Sequence, residues 1–159
     1  MDILLTRKYK YTISDSIDSV RNDFGKITKG RWFDFSNNIT GTLNDDNTFK
    51  LTHKWTLGYI RGFGGNSFAY LKGNITTEDN KTIINVTLRP NITLTFFFYF
   101  ISILFLCELF GIKTMLQGPR LQLIFTLLLF VFIIGGLMLM MTNGLRNRFE
   151  RILQLTRQE

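Results

Sequence analysis

Few residues of this chain are of types that do chemistry, and none has a partner at a spacing that defines a site. The single histidine, His53, lies on the apolar side of an alternating stretch, with no second His or Cys at metal-ligand spacing. We interpret it as a core histidine. A catalytic triad would rest on this one histidine, and no Gly-x-Ser-x-Gly motif accompanies it. The sequence therefore predicts no enzyme, no metal site and no cofactor.

A glycine-rich stretch, Gly62–Gly65, invites comparison with phosphate-binding loops. It lacks the lysine and the following Ser or Thr of a P-loop, and also the spacing of a dinucleotide fingerprint. It joins two predicted strands instead of opening a helix, so we interpret it as a flexible hairpin loop. Tyr59, Arg61 and Phe63, in this loop and just before the glycines, are candidates for contact with a partner or with lipid.

Glu108 is the only charged residue within the two long apolar runs of the chain. An ionisable residue inside a membrane is a functional candidate by default, as an ion or proton site. Glu108 lies four residues before the end of its run, about 6 Å of helix rise, so it can reach the interface or meet Lys113 or Arg120. We favour this structural interpretation and keep Glu108 as the candidate intramembrane polar site.

The elements that position these residues start with the two apolar runs, Ile92–Ile112 and Leu121–Thr142. A bilayer core about 30 Å thick needs roughly 20 apolar residues in helical form, and both runs are that long. Lipid cannot satisfy open backbone groups, so each run must be helical throughout. Residues 113–120 form the turn, and the sequence predicts a transmembrane hairpin over residues 91–142. Gly135-Gly136 is a candidate for close helix approach, either within the hairpin or between protomers.

Net charge is +7, and its distribution predicts the orientation. The first 90 residues hold 13 Lys/Arg and 9 Asp/Glu in scattered order, which does not resemble the gathered basic patch of a nucleic-acid binder. Near the two runs, seven Lys/Arg lie on the side of the termini and two in the turn. The positive-inside rule then places both termini in the cytoplasm. No secretory signal is expected, and the N-x-Ser/Thr motifs are interpreted as compositional.

Residues 1–90 are predicted to form one small α+β domain built on an antiparallel sheet. A helix is expected to start at Ser14-Asp15 and to be closed by Gly25. Alternation places Leu51 and Val86 on a buried face and Lys50 in water. Pro90 ends the sheet directly before the first apolar run, so the sheet must lie close to the bilayer. The predicted strands are Ile3–Ile13, Arg31–Ser36, Ile39–Leu43, Thr48–Trp55, Ser67–Ile75 and Thr82–Arg89.

Residues 143–159 are predicted to form a separate tail after a break at Asn143-Gly144. Within it, Leu145–Arg157 has the apolar stripe and the arginines of a short amphipathic helix. This helix could lie on anionic headgroups, or it could return to cover the open face of the sheet. We favour the second, because a sheet with one short helix is under-covered.

Several short segments resemble an uncharacterised group of small bacterial membrane proteins, in which a β-rich domain runs into a hydrophobic hairpin through a basic residue and a proline. The resemblance implies the architecture and a bacterial inner membrane, and no activity or site residue. The matching segments are Ile39–Gly41, Phe49–Leu51, Asn66–Phe68, Gly73–Ile75, Thr82–Val86 and Leu88–Pro90.

The leading hypothesis is a membrane-anchored accessory, sensing or scaffold protein that binds a protein partner, or a second copy of itself, without catalysis. The first alternative is a lipid-binding module, whose pocket would be lined by aromatic side chains. The second is a small oligomeric pore with Glu108 in its wall. Co-purifying lipid would favour the module, and voltage-driven currents would favour the pore.

Overall fold

The computed structural model describes residues 5–29, 38–53, 67–79, 81–112 and 114–155, and for residues 26, 28 and 29 the backbone alone. Five strands and three helices lie in these ranges. The strands are β1 (Arg7–Ile13), β2 (Ile39–Leu43), β3 (Thr48–His53), β4 (Ala69–Glu78) and β5 (Lys81–Pro90), and the helices are α1 (Ile17–Lys29), α2 (Ile92–Phe110) and α3 (Arg120–Ile152).

The strands form one antiparallel sheet in the order β1-β5-β4-β3-β2. The N-terminal strand β1 pairs with the last strand, β5, so the first and last parts of the soluble chain meet in the sheet. Tight turns join β2 to β3 and β4 to β5, where Asn47 and Asp79 take positive φ angles of 61° and 49°. Among residues that carry a side chain, Asn and Asp tolerate this conformation best. The α+β class with an antiparallel sheet is confirmed.

One face of the sheet is buried beneath α1 and α3. Alternate residues supply this core because strand side chains point to opposite faces in turn. Leu51 and Val86 lie on it, at 0% and 2% exposure, while Lys50 is exposed, as predicted. The Phe49 ring lies over Gly73, its cross-strand partner, where a side chain would leave no room for it.

Helix α1 does not end at Gly25, and that prediction is wrong. The helix continues to Lys29 because its apolar stripe continues, with Phe24 at 0% and Ile27 at 7% exposure in the core. Burial of such side chains contributes about 1.5–3 kcal/mol each, more than the roughly 1 kcal/mol that one helical glycine costs.

The apolar hairpin, meaning α2 together with residues 120–142 of α3, follows the sheet with a single residue between. Asn91 separates β5 from α2 and caps the helix, with its side chain accepting from Thr93 N at 2.8 Å. The same residue donates through its backbone N to Phe68 O at 2.9 Å and through Nδ2 to Ser67 O at 2.9 Å. The sheet is therefore tied to the start of α2 without a flexible linker.

The predicted break at Asn143-Gly144 is also wrong, and with it the separate tail helix of residues 143–159. Helix α3 runs without interruption from Arg120 to Ile152, 33 residues. Asn and Gly lower helix propensity, but Leu145 and Phe149, both at 0% exposure, complete the core under the sheet. This burial outweighs the propensity cost. The end of α3 thus covers the sheet, which was the favoured position of the tail.

Candidate binding surface

The sheet face opposite the core carries a row of three lysines. Lys8 of β1 pairs with Thr87, Thr87 with Lys72, and Lys72 with Lys50 of β3. Directly paired residues of antiparallel strands project from the same face, so the three lysines lie on one face across four strands, with Thr87 between Lys8 and Lys72. All three side chains are exposed. We call Lys8, Lys72 and Lys50 the lysine row.

Lys50 and Lys72 are directly opposite each other in the ladder. Like charges in this position destabilise a sheet by a fraction of a kcal/mol, whereas an anionic or apolar residue at either position would relieve the repulsion. Lys50 Nζ also lies 4.9 Å from the centroid of the Tyr70 ring, and this cation–π contact partly offsets the repulsion. The arrangement is costly for folding and well suited to holding an anion.

The sheet face that carries the lysine row, opposite the core, is strongly basic. Among the described strand residues that point outward on this face, the acidic one is Glu78, which lies at the end of β4 far from Pro90. Glu78 Oε2 is 3.9 Å from Lys10 Nζ, and both side chains are more than 60% exposed, so this ion pair contributes little. The basic residues on the face are Lys8, Lys10, Lys50, Lys72, Lys81 and Arg89.

His53 is a buried structural residue that ties β3 to α3. Its Nδ1 is 3.3 Å from Arg148 Nη1, and its Nε2 is 2.8 Å from Met141 O. Arginine can only donate and a carbonyl can only accept, so the neutral ring carries its proton on Nε2. Burial is the main cause that lowers the pKa of His53. The Met141 carbonyl opposes this effect, and the Arg148 guanidinium adds to it. The prediction of a core histidine is confirmed.

A polar cluster fixes the rotation of α3 over β1. Tyr11 Oη donates to Glu150 Oε1 at 2.8 Å, and Arg146 Nη1 donates to Tyr9 Oη at 2.9 Å. Arg146 Nε lies 3.7 Å from the same Glu150 oxygen, and its guanidinium lies over the Tyr9 ring. Burial and the Glu150 carboxylate raise the pKa of Tyr11, which keeps the phenol protonated as a donor.

Glu108 lies at the far end of the apolar hairpin, remote from the sheet. It is 7% exposed, and its carboxylate accepts a hydrogen bond from Thr114 Oγ1. Arg120, one of the two expected partners, donates to the backbone carbonyls of Glu108 and Leu109 at 2.9 and 3.1 Å. It thereby caps the C-terminus of α2. Lys113, the other expected partner, lies outside the described residues.

Tyr59, Arg61 and Phe63, the predicted contact loop, and the glycine stretch Gly62–Gly65 also lie outside the described residues. Within the described ranges, no three His, Cys, Asp or Glu side chains gather where they could hold a metal ion. The lysine row is the candidate surface that sequence reasoning missed. Alternation placed Lys8 and Lys50 on the polar sides of their strands, and only the strand order and register bring them beside Lys72.

No family model matches this sequence, and neither does a curated protein or a solved structure. The resemblance to small bacterial membrane proteins therefore stays a prediction.

Proposed function

We propose that this protein is a two-pass membrane protein that acts by binding an acidic segment of a protein partner, without catalysis. The membrane part of this proposal rests on α2 and on the first two-thirds of α3. Both are long and apolar enough to span a bilayer, and only 11% of the residues in the most apolar window of each are buried. A core helix of a soluble protein would be mostly buried. Phe96, Phe132 and their neighbours instead present bare apolar side chains, as lipid-facing residues do.

The positive-inside bias supports a cytoplasmic position for the sheet domain and both termini, and the resemblance supports a bacterial inner membrane. A cysteine introduced at Gln117, in the turn of the hairpin, should then react with an impermeant thiol reagent on intact cells. A cysteine at Asp46, in the sheet domain, should stay unlabelled until the cells are opened. The reverse pattern would invert the orientation.

The single observation that carries the binding proposal is the lysine row. The row crosses β5 at Thr87, three residues or about 10 Å along the strand before Pro90, so it lies close to the end of the sheet from which α2 starts. An acidic segment crossing the strands meets all three cations, and it relieves the repulsion between Lys50 and Lys72. A membrane-anchored position favours a protein partner at the same surface over nucleic acid.

The test uses the full-length protein in nanodiscs of neutral phosphatidylcholine and a fluorescent Glu-rich peptide, with binding followed by anisotropy. We expect binding that weakens as salt is raised, because exposed charges are screened. Each unit-charge contact near 4 Å in water is worth about 1 kcal/mol, and reversing one charge turns that attraction into a repulsion of similar size, so Lys72→Glu should weaken binding by tenfold or more. Lys81→Glu, with the same charge change outside the row, is the matched control and should cost far less.

Two results would contradict the proposal. Equal loss in the row variant and the Lys81→Glu control would show that only net charge matters. If a single-stranded oligonucleotide bound more tightly than the peptide, and did so through the row, the face would be a nucleic-acid surface.

A further inference from the structure

A cavity of about 430 Å³ lies where the sheet meets the apolar hairpin, in the size range of small-ligand pockets. Its walls come from four elements: the start of β1 with Leu5 and Arg7, the end of β5 with Leu88 and Pro90, Phe98 of α2, and α3 around Met138. Gly135 and Phe98 meet on this wall, where a Cβ at Gly135 would lie 3.2 Å from the Phe98 ring. The cavity is open to the outside on one side.

The lining is apolar except at one side. Thr142 lies on the wall, but its hydroxyl already donates to Met138 O at 2.7 Å in its own helix. Arg7 is exposed at the rim, and its Nη1 donates to the neutral Asn143 Oδ1 at 3.3 Å. Among the described residues, no carboxylate lies within 4 Å of its guanidinium. The site therefore pairs an apolar chamber with one uncompensated cation.

We propose that this cavity holds an anionic phospholipid from the surrounding bilayer, with part of one acyl chain between the sheet and α3 and the phosphate at Arg7. This inference rests on membrane insertion but not on the lysine row, which lies on the opposite face of the sheet. Pro90, which precedes α2 by one residue, lies on the cavity wall, so a hairpin inserted from Ile92 onward places the cavity at the depth of the headgroups. An α-helix of a partner, about 10 Å across, needs a far larger groove, whereas a flexible chain fits this one.

The experiment uses the full-length protein in phosphatidylcholine nanodiscs containing a trace of phosphatidylglycerol with a photoactivatable diazirine in one acyl chain. Cross-linked peptides are then mapped by mass spectrometry. We expect adducts concentrated on Leu88, Met138 and Leu139. Arg7→Gln should reduce them about fivefold, the effect of one basic residue near an anionic headgroup. Lys8→Gln, the next residue and on the opposite face of the strand, should leave them unchanged.

Filling the chamber provides a second, independent variant. Leu139→Trp places a bulky ring on the cavity wall and should abolish the adducts, whereas Met140→Trp, one residue along the helix and outside the wall, should not. Thermal midpoints of all variants are measured beside the adduct yields, so that loss of fold is recognised. Arg7→Gln alters an exposed side chain and keeps the test decisive if the tryptophan variant does not fold.

Several outcomes would overturn the proposal. Equal labelling of the cavity residues by a phosphatidylcholine probe with the same diazirine, and no effect of Arg7→Gln, would show that the adducts come from nonspecific annular lipid. Adducts spread over outward-facing residues such as Phe132 would do the same. If inorganic phosphate bound at Arg7 and left the yield of acyl-chain adducts unchanged, that result would show an anion site at Arg7 that is separate from the cavity. Failure of this proposal leaves peptide binding at the lysine row untouched, so the two are distinguishable.

Discussion

Truncation of Phe149 tests whether the end of α3 completes the core of the sheet domain. Phe149 is at 0% exposure near the end of α3. Its ring centroid lies 6.1 Å from that of Tyr11, 6.1 Å from that of Phe24 and 5.8 Å from that of Phe49. One side chain thus joins α3 to β1, α1 and β3, and Phe149→Ala removes all three contacts together.

The expected loss is large compared with the stability of the domain. A buried Phe→Ala change costs about 3–5 kcal/mol, a figure that includes the lost ring pairs. A domain of about 90 residues has about 5–13 kcal/mol of stability at the usual value per residue. The variant should therefore lose about a fifth of that stability or more and should melt about 12 °C lower or more.

The measurement is hydrogen–deuterium exchange of the β3, β4 and β5 backbone amides in nanodiscs, because core amides exchange through global opening. Phe132→Ala is the matched control, since it makes the same truncation in the same helix at a side chain 71% exposed on the apolar hairpin. Exchange in these strands should accelerate by two to three orders of magnitude in Phe149→Ala and little in the control. If both variants exchanged alike, the end of α3 would not lie on the sheet.

Three further predictions concern single residues. Because His53 has a lowered pKa in the fold and about 6.5 when unfolded, the thermal midpoint should hold above pH 6.5 and fall below it, and His53→Gln should remove that dependence. Gly144→Ala should stabilise the protein by about 0.4–1 kcal/mol and raise the thermal midpoint, because the new Cβ would meet nothing closer than 3.8 Å. Gly73→Ala should lower the midpoint, because a Cβ there would fall 2.2 Å from a carbonyl oxygen. Glu108→Gln can still accept from Thr114 and should insert normally with its midpoint within a few degrees; loss of a cellular phenotype with folding unchanged would favour the pore hypothesis.

The strands and the two apolar runs could be predicted because each is encoded by a local pattern. Alternation in Thr48–His53 assigns Leu51 to the core and Lys50 to water from the sequence alone. A run of about 20 apolar residues predicts a helix because lipid would leave the backbone groups of other conformations without partners. Both wrong helix ends, at Gly25 and at Asn143-Gly144, have one cause. Local propensity suggests a stop there, and burial of Ile27 or Phe149 by distant strands overrides it.

The lysine row could not be read from the sequence, because it depends on pairing between distant segments. Lys8 and Lys72 come together only if β5 lies between β1 and β4 in this register. A shift of one residue in either ladder would send one lysine to the core face, where its charge would be buried. The hydrophobic face therefore fixes the row indirectly. The cavity between the sheet and the apolar hairpin likewise depends on the packing of Phe98 against Gly135, which no local sequence pattern encodes.

The position of the lysine row relative to α3 bears on whether the protein acts as a sensor or as a scaffold for its partner. A ligand shifts a conformational equilibrium only by as much as it binds one state better than the other. The lysine row lies on the face opposite α3, so a peptide bound there contacts the membrane-connected helix only through the packed layer of Leu51, Leu71 and Phe149. That layer is close-packed, and α3 is one continuous helix about 50 Å long, of which about 30 Å matches a bilayer core. Within the described residues, the apolar hairpin is joined to the sheet by a continuous helix on one side and by the single residue Asn91 on the other, with no loop that could serve as a hinge. We therefore favour a scaffold, which holds its acidic partner at a fixed distance from the bilayer, over a sensor.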